Sequence, residues 1–155
     1  MKNLLLLFFC SVSIYGFSQV NTVMPPEANL FYTNAMKSIR PEIKNLVENE
    51  AKKFKGKDIN ADSLSNGLKK VSVLKKFNQR EIEAITILIM VQVSKNADVD
   101  LKNLVMSVRK NPNQNSSAFD ETKPILEHKS RIAENISELM KRISPSPENV
   151  INNLK

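Results

Sequence analysis

Glycine, cysteine, histidine and tryptophan are scarce or missing in this chain, and each shortage removes a class of protein. Only Gly16, Gly56 and Gly67 occur among the 155 residues. Strands joined by tight turns draw on glycine for backbone of positive φ, so a sheet-built fold is disfavoured and the chain reads as all-α. The single cysteine, Cys10, lies in an N-terminal apolar run. The rest of the chain therefore has no disulfide scaffold, thiolate metal site or thiol nucleophile. One histidine, His128, cannot supply the pair of a zinc HExxH helix, and no DxDxDG calcium loop or glycine-rich phosphate loop occurs. No cofactor or metal is expected. Tryptophan is absent. Beyond the N-terminal run the aromatics are Phe31, Tyr32, Phe54, Phe77 and Phe119, most of them on apolar stripes. Stacking platforms for bases are not expected, and neither is a nucleic-acid partner.

What is present begins with "MKNLLLLFFCSVSIYGFSQ", a basic residue followed by an apolar run and then the small residues Gly16 and Ser18. That pattern predicts a bacterial signal peptide over residues 1–18, with cleavage after Ser18 and a mature start at Gln19. The run ends too soon to anchor, because a spanning helix needs about 20 predominantly apolar residues. Lipidation at Cys10 is the rival reading. Phe8 and Phe9 precede that cysteine where a lipoprotein site wants small residues, so no lipid is expected. These features imply a periplasmic or secreted protein, with residues 19–155 as one helical domain.

Removing Lys2 from 23 basic residues leaves 22 against 16 acidic ones, a charge of +6. Such a balance favours an anionic partner, a protein or an anionic envelope component. The lysines of "KKFKGK" and "KKVSVLKK" are the candidate contacts, with Lys52, Lys53, Lys55, Lys69 and Lys76 singled out.

Apolar spacing predicts five or six helices. After Pro25 and Pro26, Ala28, Phe31, Tyr32, Ala35, Met36 and Ile39 form one stripe, which Ile43, Leu46, Val47, Ala51 and Phe54 continue beyond Pro41. One kinked helix or two stacked segments fit that pattern. Asn60 or Asp62 caps the next helix, with Leu64, Leu68, Val71 and Leu74 inward. Gly67 sits in that row, where its cost of about 1 kcal/mol against alanine is tolerable if a neighbouring helix packs closely over it. "NQREIEAITILIMVQV" predicts a central apolar helix at about 79–95. Asn78 and Glu81 open it as a capping box, and its residues are apolar on all sides. Alternation from Ile85 to Val93 also allows a strand, but no second strand of similar quality exists to pair with it. A short separate helix capped by Asp98 or Asp100 should bury Leu101, Leu104, Val105 and Val108. A polar loop is expected after it, at about 111–117. The last long helix should start near Thr122 with Pro124 in its first turn. Ser146 and Pro147 then start a short terminal helix.

No constellation for catalysis emerges. His128 reads as a surface imidazole, because adjacent Glu127, His128 and Ser130 on one helix point in different directions. Among the acids, Glu27, Glu42, Glu48, Glu50, Glu81 and Glu83 offer no singled-out pair, and most are assigned to polar faces. The functional expectation is macromolecular binding by an exported protein, in a chaperone-like, inhibitor or immunity role, and not as an enzyme. The alternative is a cell-wall polysaccharide-cleaving enzyme with paired carboxylates. The stretch "FNQREIEAI" loosely resembles the L-T-x-x-Q helix start of small periplasmic helical chaperones. It covers about nine residues, lacks the Thr and Gln in register and has no second copy.

Overall fold

The computed structural model describes residues 24–110, 115–144 and 146–155. The expected signal peptide, its cleavage site and Cys10 lie outside those residues, as does part of the expected polar loop. Among the described residues there are six α-helices and no strand: α1 (Pro26–Ser38), α2 (Pro41–Lys53), α3 (Ala61–Leu68), α4 (Gln79–Lys110), α5 (Asn115–Ile143) and α6 (Pro147–Asn153). A single 3₁₀ turn, Ser72–Leu74, precedes α4.

The stripe shared by the first two helices is broken at Pro41. Ile39 and Arg40 adopt extended backbone, as expected before a ring that clashes with the preceding residue in helical conformation. Pro26 and Pro41 each sit in the first turn of their helix, where no intrahelical N–H is lost. Gly56 has φ of 66°. That left-handed backbone lets the chain leave α2 and cross towards α3.

Asn60 caps α3 as expected, accepting from the Ser63 N–H at 2.8 Å. This helix stops at Leu68, however, and Leu74 reaches the core from the 3₁₀ turn instead. Gly67 corrects an expectation. It is exposed, and apart from its chain neighbours and its own helix backbone no atom lies within 4 Å of where a Cβ would stand, so it serves no close helix approach.

The centre of the bundle is the first half of α4. Ile85, Ile87, Leu88, Ile89, Met90 and Val91 are all fully buried. The capping box forms as the sequence predicts: Glu81 N–H donates to Asn78 Oδ1 at 3.0 Å, and Asn78 N–H donates to Glu81 Oε2 at 2.8 Å.

Past Val93 the chain departs from its expected course twice. Instead of ending near residue 95, α4 continues unbroken to Lys110. "KNADVD" holds no glycine or proline to stop it. Gln92 Nε2 bonds Asn96 Oδ1 across one turn at 3.0 Å, and the two expected cap residues turn to cations on neighbouring elements: Asp98 to Lys129, and Asp100 to Lys55 at 3.0 Å. Equally, α5 begins at Asn115, so residues 115–117 are helix and Pro124 lies inside it. Pro124 is exposed, and it costs the helix the hydrogen bond that its missing N–H would have made.

Pairing of Asp98 with Lys129, and the 4.0 Å approach of Arg142 Nη1 to Glu83, set α4 and α5 antiparallel. They form the most extensive helix pair of the fold. Arg40 stacks over Phe77 just before α4, while Lys55 reaches Asp100 far along it. Helix α2 therefore runs beside α4 in the same direction. At the far end of the chain, α6 buries Val150 and Ile151, and the Leu154 carbonyl accepts from Arg40 N–H at 3.1 Å.

Candidate functional site

Burial stops abruptly along the central hairpin. Ser94 of α4 and His128 of α5 are buried, yet no residue between them whose burial is described is. Residues 95–110 alone would rise about 24 Å as a helix. The two helices thus leave the body as an arm.

Along the arm the apolar residues Leu101, Leu104 and Val108 of α4 and Ile125 and Leu126 of α5 are only half-buried. Val105, expected inside, is exposed, because two helices cannot enclose the whole of either one's apolar surface. The opposite face of α4 is more informative. Gln92, Lys95, Val99 and Met106 succeed one another at steps of three, four and seven, which places them on one side of a helix. On the body, α1 covers this side: Tyr32 Oη donates to Gln92 Oε1, and the Lys95 ammonium lies over the Tyr32 ring, 5.2 Å from its centroid. Burial, then Glu48, pushes the Tyr32 hydroxyl above its ordinary pKa, which keeps it a donor. Beyond Lys95 the same side is uncovered. Val99 is 57% and Met106 47% exposed, with the exposed Lys102 beside them.

Ion pairs gather at the root of the arm. Asp58, in the crossing between α2 and α3, accepts from Arg131 Nη2 at 2.7 Å and Nε at 3.1 Å, and faces His128 Nδ1 at 3.4 Å. His128 corrects the surface assignment: it is 7% exposed, with Nε2 buried and without a hydrogen-bond partner. Its signal was legible, since the buried row Ile132, Ile136, Leu139 and Ile143 lands on position 128 when carried back one turn. Asp58, 70 residues away in sequence, had no such signal.

Hydrogen bonding from Arg131, then from His128, holds the Asp58 carboxyl below its ordinary pKa. A carboxylate with a depressed folded pKa lends stability above its unfolded value, and loses it as pH falls through the folded value. The side chain is largely exposed, so the effect is small. The melting-temperature difference between the protein and Asp58→Asn is therefore expected to be present at neutral pH and to shrink below about pH 4. A difference that grew in acid would refute the pairing.

The five candidate lysines do not form one patch. Lys52 and Lys69 are exposed, and Lys53 bonds Glu50 at 2.6 Å. Lys55 is taken by Asp100, whereas Lys76 lies over Phe77 at 5.8 Å, before the other end of α4. About 30 Å of helix separates the start of α4 from Asp100.

Carboxylates are distributed differently from the sequence expectation. Glu81 and Glu83, assigned to a polar helix start, are 7% and 6% exposed. Glu81 accepts from Asn78 and from Asn153 Nδ2 at 2.9 Å, while Glu83 accepts from Gln79 Nε2 at 2.8 Å. Both are held in structural contacts. A cleft of about 480 Å³ between α1 and α6 includes Glu27 and Glu148. Both of those are exposed, without the apolar enclosure that sets a general acid apart from its partner.

Among the described residues, no group of three His, Cys, Asp or Glu is placed to hold a metal, and no helix is long and apolar enough to cross a membrane. The fold and the site together define an all-α bundle with a projecting two-helix arm. Compared with protein-family models, curated proteins and solved structures, the chain matches none.

Proposed function

We propose that this is an exported binding protein whose uncovered α4 face seats an acidic amphipathic helix of another polypeptide, with no catalytic step. One observation carries the reading: the side of α4 that α1 covers up to Lys95 continues bare through Val99 and Met106. A surface already covered by a helix over half its length is shaped for a second helix over the rest. Exposed large apolar side chains in a row mark an interaction site more than single ones do. Lys95 and Lys102 flank the row, and the chain carries net positive charge, so the complementary segment is acidic. An inhibitor, immunity or chaperone-like role is compatible with such a surface.

The test uses Val99→Glu/Met106→Glu, both exposed positions, in the protein from Gln19 onward. Affinity capture from envelope extract identifies the retained polypeptide by mass, and its acidic segment is then synthesised and titrated against both proteins. The expected result is saturable peptide binding that weakens with added salt and falls about tenfold or more in the variant, with an unchanged melt. Equal binding by the variant, or recovery of only basic or helix-free segments, would overturn the proposal.

A further inference from the structure

The opposite end of α4 from the arm holds a second open cleft, of about 420 Å³, lined by Arg40, Glu42, Ile43, Ser72, Val73, Lys75 and Lys76. Three cations and one carboxylate face this space. None of Arg40, Lys75 and Lys76 forms an ion pair with a carboxylate among the described residues, although Lys53, Lys55, Lys129, Arg131 and Arg142 all do.

Arg40 is the least satisfied group there. Its guanidinium lies over the Phe77 ring, 5.1 Å from the centroid, and its Nε is sealed from solvent without a hydrogen-bond acceptor. Buried donors are normally paired, so the Arg40 Nε–H is held without the acceptor that such a group ordinarily has. The backbone of Arg40 is fixed independently of its side chain, through the N–H bond to the Leu154 carbonyl. Ser72 adds a hydroxyl donor at the rim. Helix α2 also starts at this cleft with no side-chain cap, so its dipole adds positive potential to that of the side chains.

We propose that this cleft binds a phosphate monoester, with Arg40, Lys75 and Lys76 as the charge partners and Ser72 as a hydroxyl donor. Arginine's planar fork suits two oxygens of a tetrahedral oxyanion, and two lysines supply point charge. Three positive charges against Glu42 leave an excess of two, matching a dianion. The volume is within the range of small-molecule sites and exceeds one phosphate group, so the ligand carries an organic body. That body is a soluble metabolite or a lipid. The site is separate from the arm and stands or falls without it.

Amide NMR of the protein from Gln19 onward is titrated with glycerol phosphate, inorganic phosphate and vesicles of phosphatidylcholine with or without phosphatidic acid. Saturable shifts centred on residues 40–43 and 72–76 are expected with glycerol phosphate, or with the phosphatidic acid vesicles if the source is a lipid. Either result supports the site and identifies the source. Lys75→Ala/Lys76→Ala and Arg40→Gln should each weaken binding about tenfold or more, as expected for lost charge-assisted hydrogen bonds. Lys52→Ala/Lys53→Ala, away from the cleft, should leave it unchanged. Shifts spread over all exposed lysines, no saturation with any probe, or equal affinity in the cleft and control variants would overturn the proposal.

Discussion

Leu88→Asp and Ile85→Asp are each expected to abolish the cooperative melt or leave a partly molten protein. Both side chains are fully buried, and so are Ile87, Ile89, Met90 and Val91. At about 100° per residue these positions sample every direction around α4, so no side of the helix offers the new carboxylate a route to water. An unpaired buried charge costs several kcal/mol, against a typical total of about 5 to 15 kcal/mol. Thermal melts followed by helical circular dichroism read the result. Arg80→Ala, at an exposed position one turn earlier, is the control. Glu83 is not suitable for that purpose, because it is buried and holds Gln79. Loss of stability in only one aspartate variant would mean that α4 is open on the other side.

Glu81→Ala should cost about 2 kcal/mol, more than its place in a helix cap would suggest. Its carboxylate serves the Asn78 N–H at the start of α4 and the Asn153 amide on α6 at once. Removal undoes the capping box, worth about 1 kcal/mol. It also breaks the bond from the Asn153 amide of α6 to the buried carboxylate, about 1 kcal/mol more. Asp62→Ala breaks only a largely exposed pair with Arg142 and should cost less than about 1 kcal/mol. Denaturant midpoints compare the two variants. Equal losses would show that Glu81 does no more than cap its own helix.

Much of the body was legible because its signals are local. Periodicity located most of the buried rows, Pro26 and Asn78 with Glu81 marked two starts, and Pro41 marked a break between a kinked helix and two segments that only the fold resolved. The errors fall where a distant residue decides the outcome. Asp98 and Asp100 have the side chains of helix caps, and only Lys129 and Lys55, brought in by the fold, turn them into ion-pair partners inside a continuous helix. Pro124 resembles a helix start until α4, running on to Lys110, provides a neighbour for the turns before it. The arm was invisible for the same reason. Leu101, Leu104 and Val108 have inward spacing, but spacing cannot say whether a third helix arrives to cover them. Of the cleft around Arg40, only Lys76 was singled out, since Arg40 and Ser72 are joined by packing and not by any motif.

Although α4 is one hydrogen-bonded ladder, it spans two thermodynamic regimes. From Glu81 to Ser94 it is almost wholly buried among the other helices, whereas beyond Lys95 it rests mainly on α5, with Lys55 reaching Asp100 as a further tie. Isolated helical turns in water are marginal, and segments with few buried contacts open by themselves at a fraction of the global free energy. The arm can therefore fray and re-form while the body stays folded. A helix that docks on Val99 and Met106 would take hold of the part of α4 with the most freedom left to lose, and amide exchange beyond Lys95 would slow on docking while exchange before Ser94 stayed as it was.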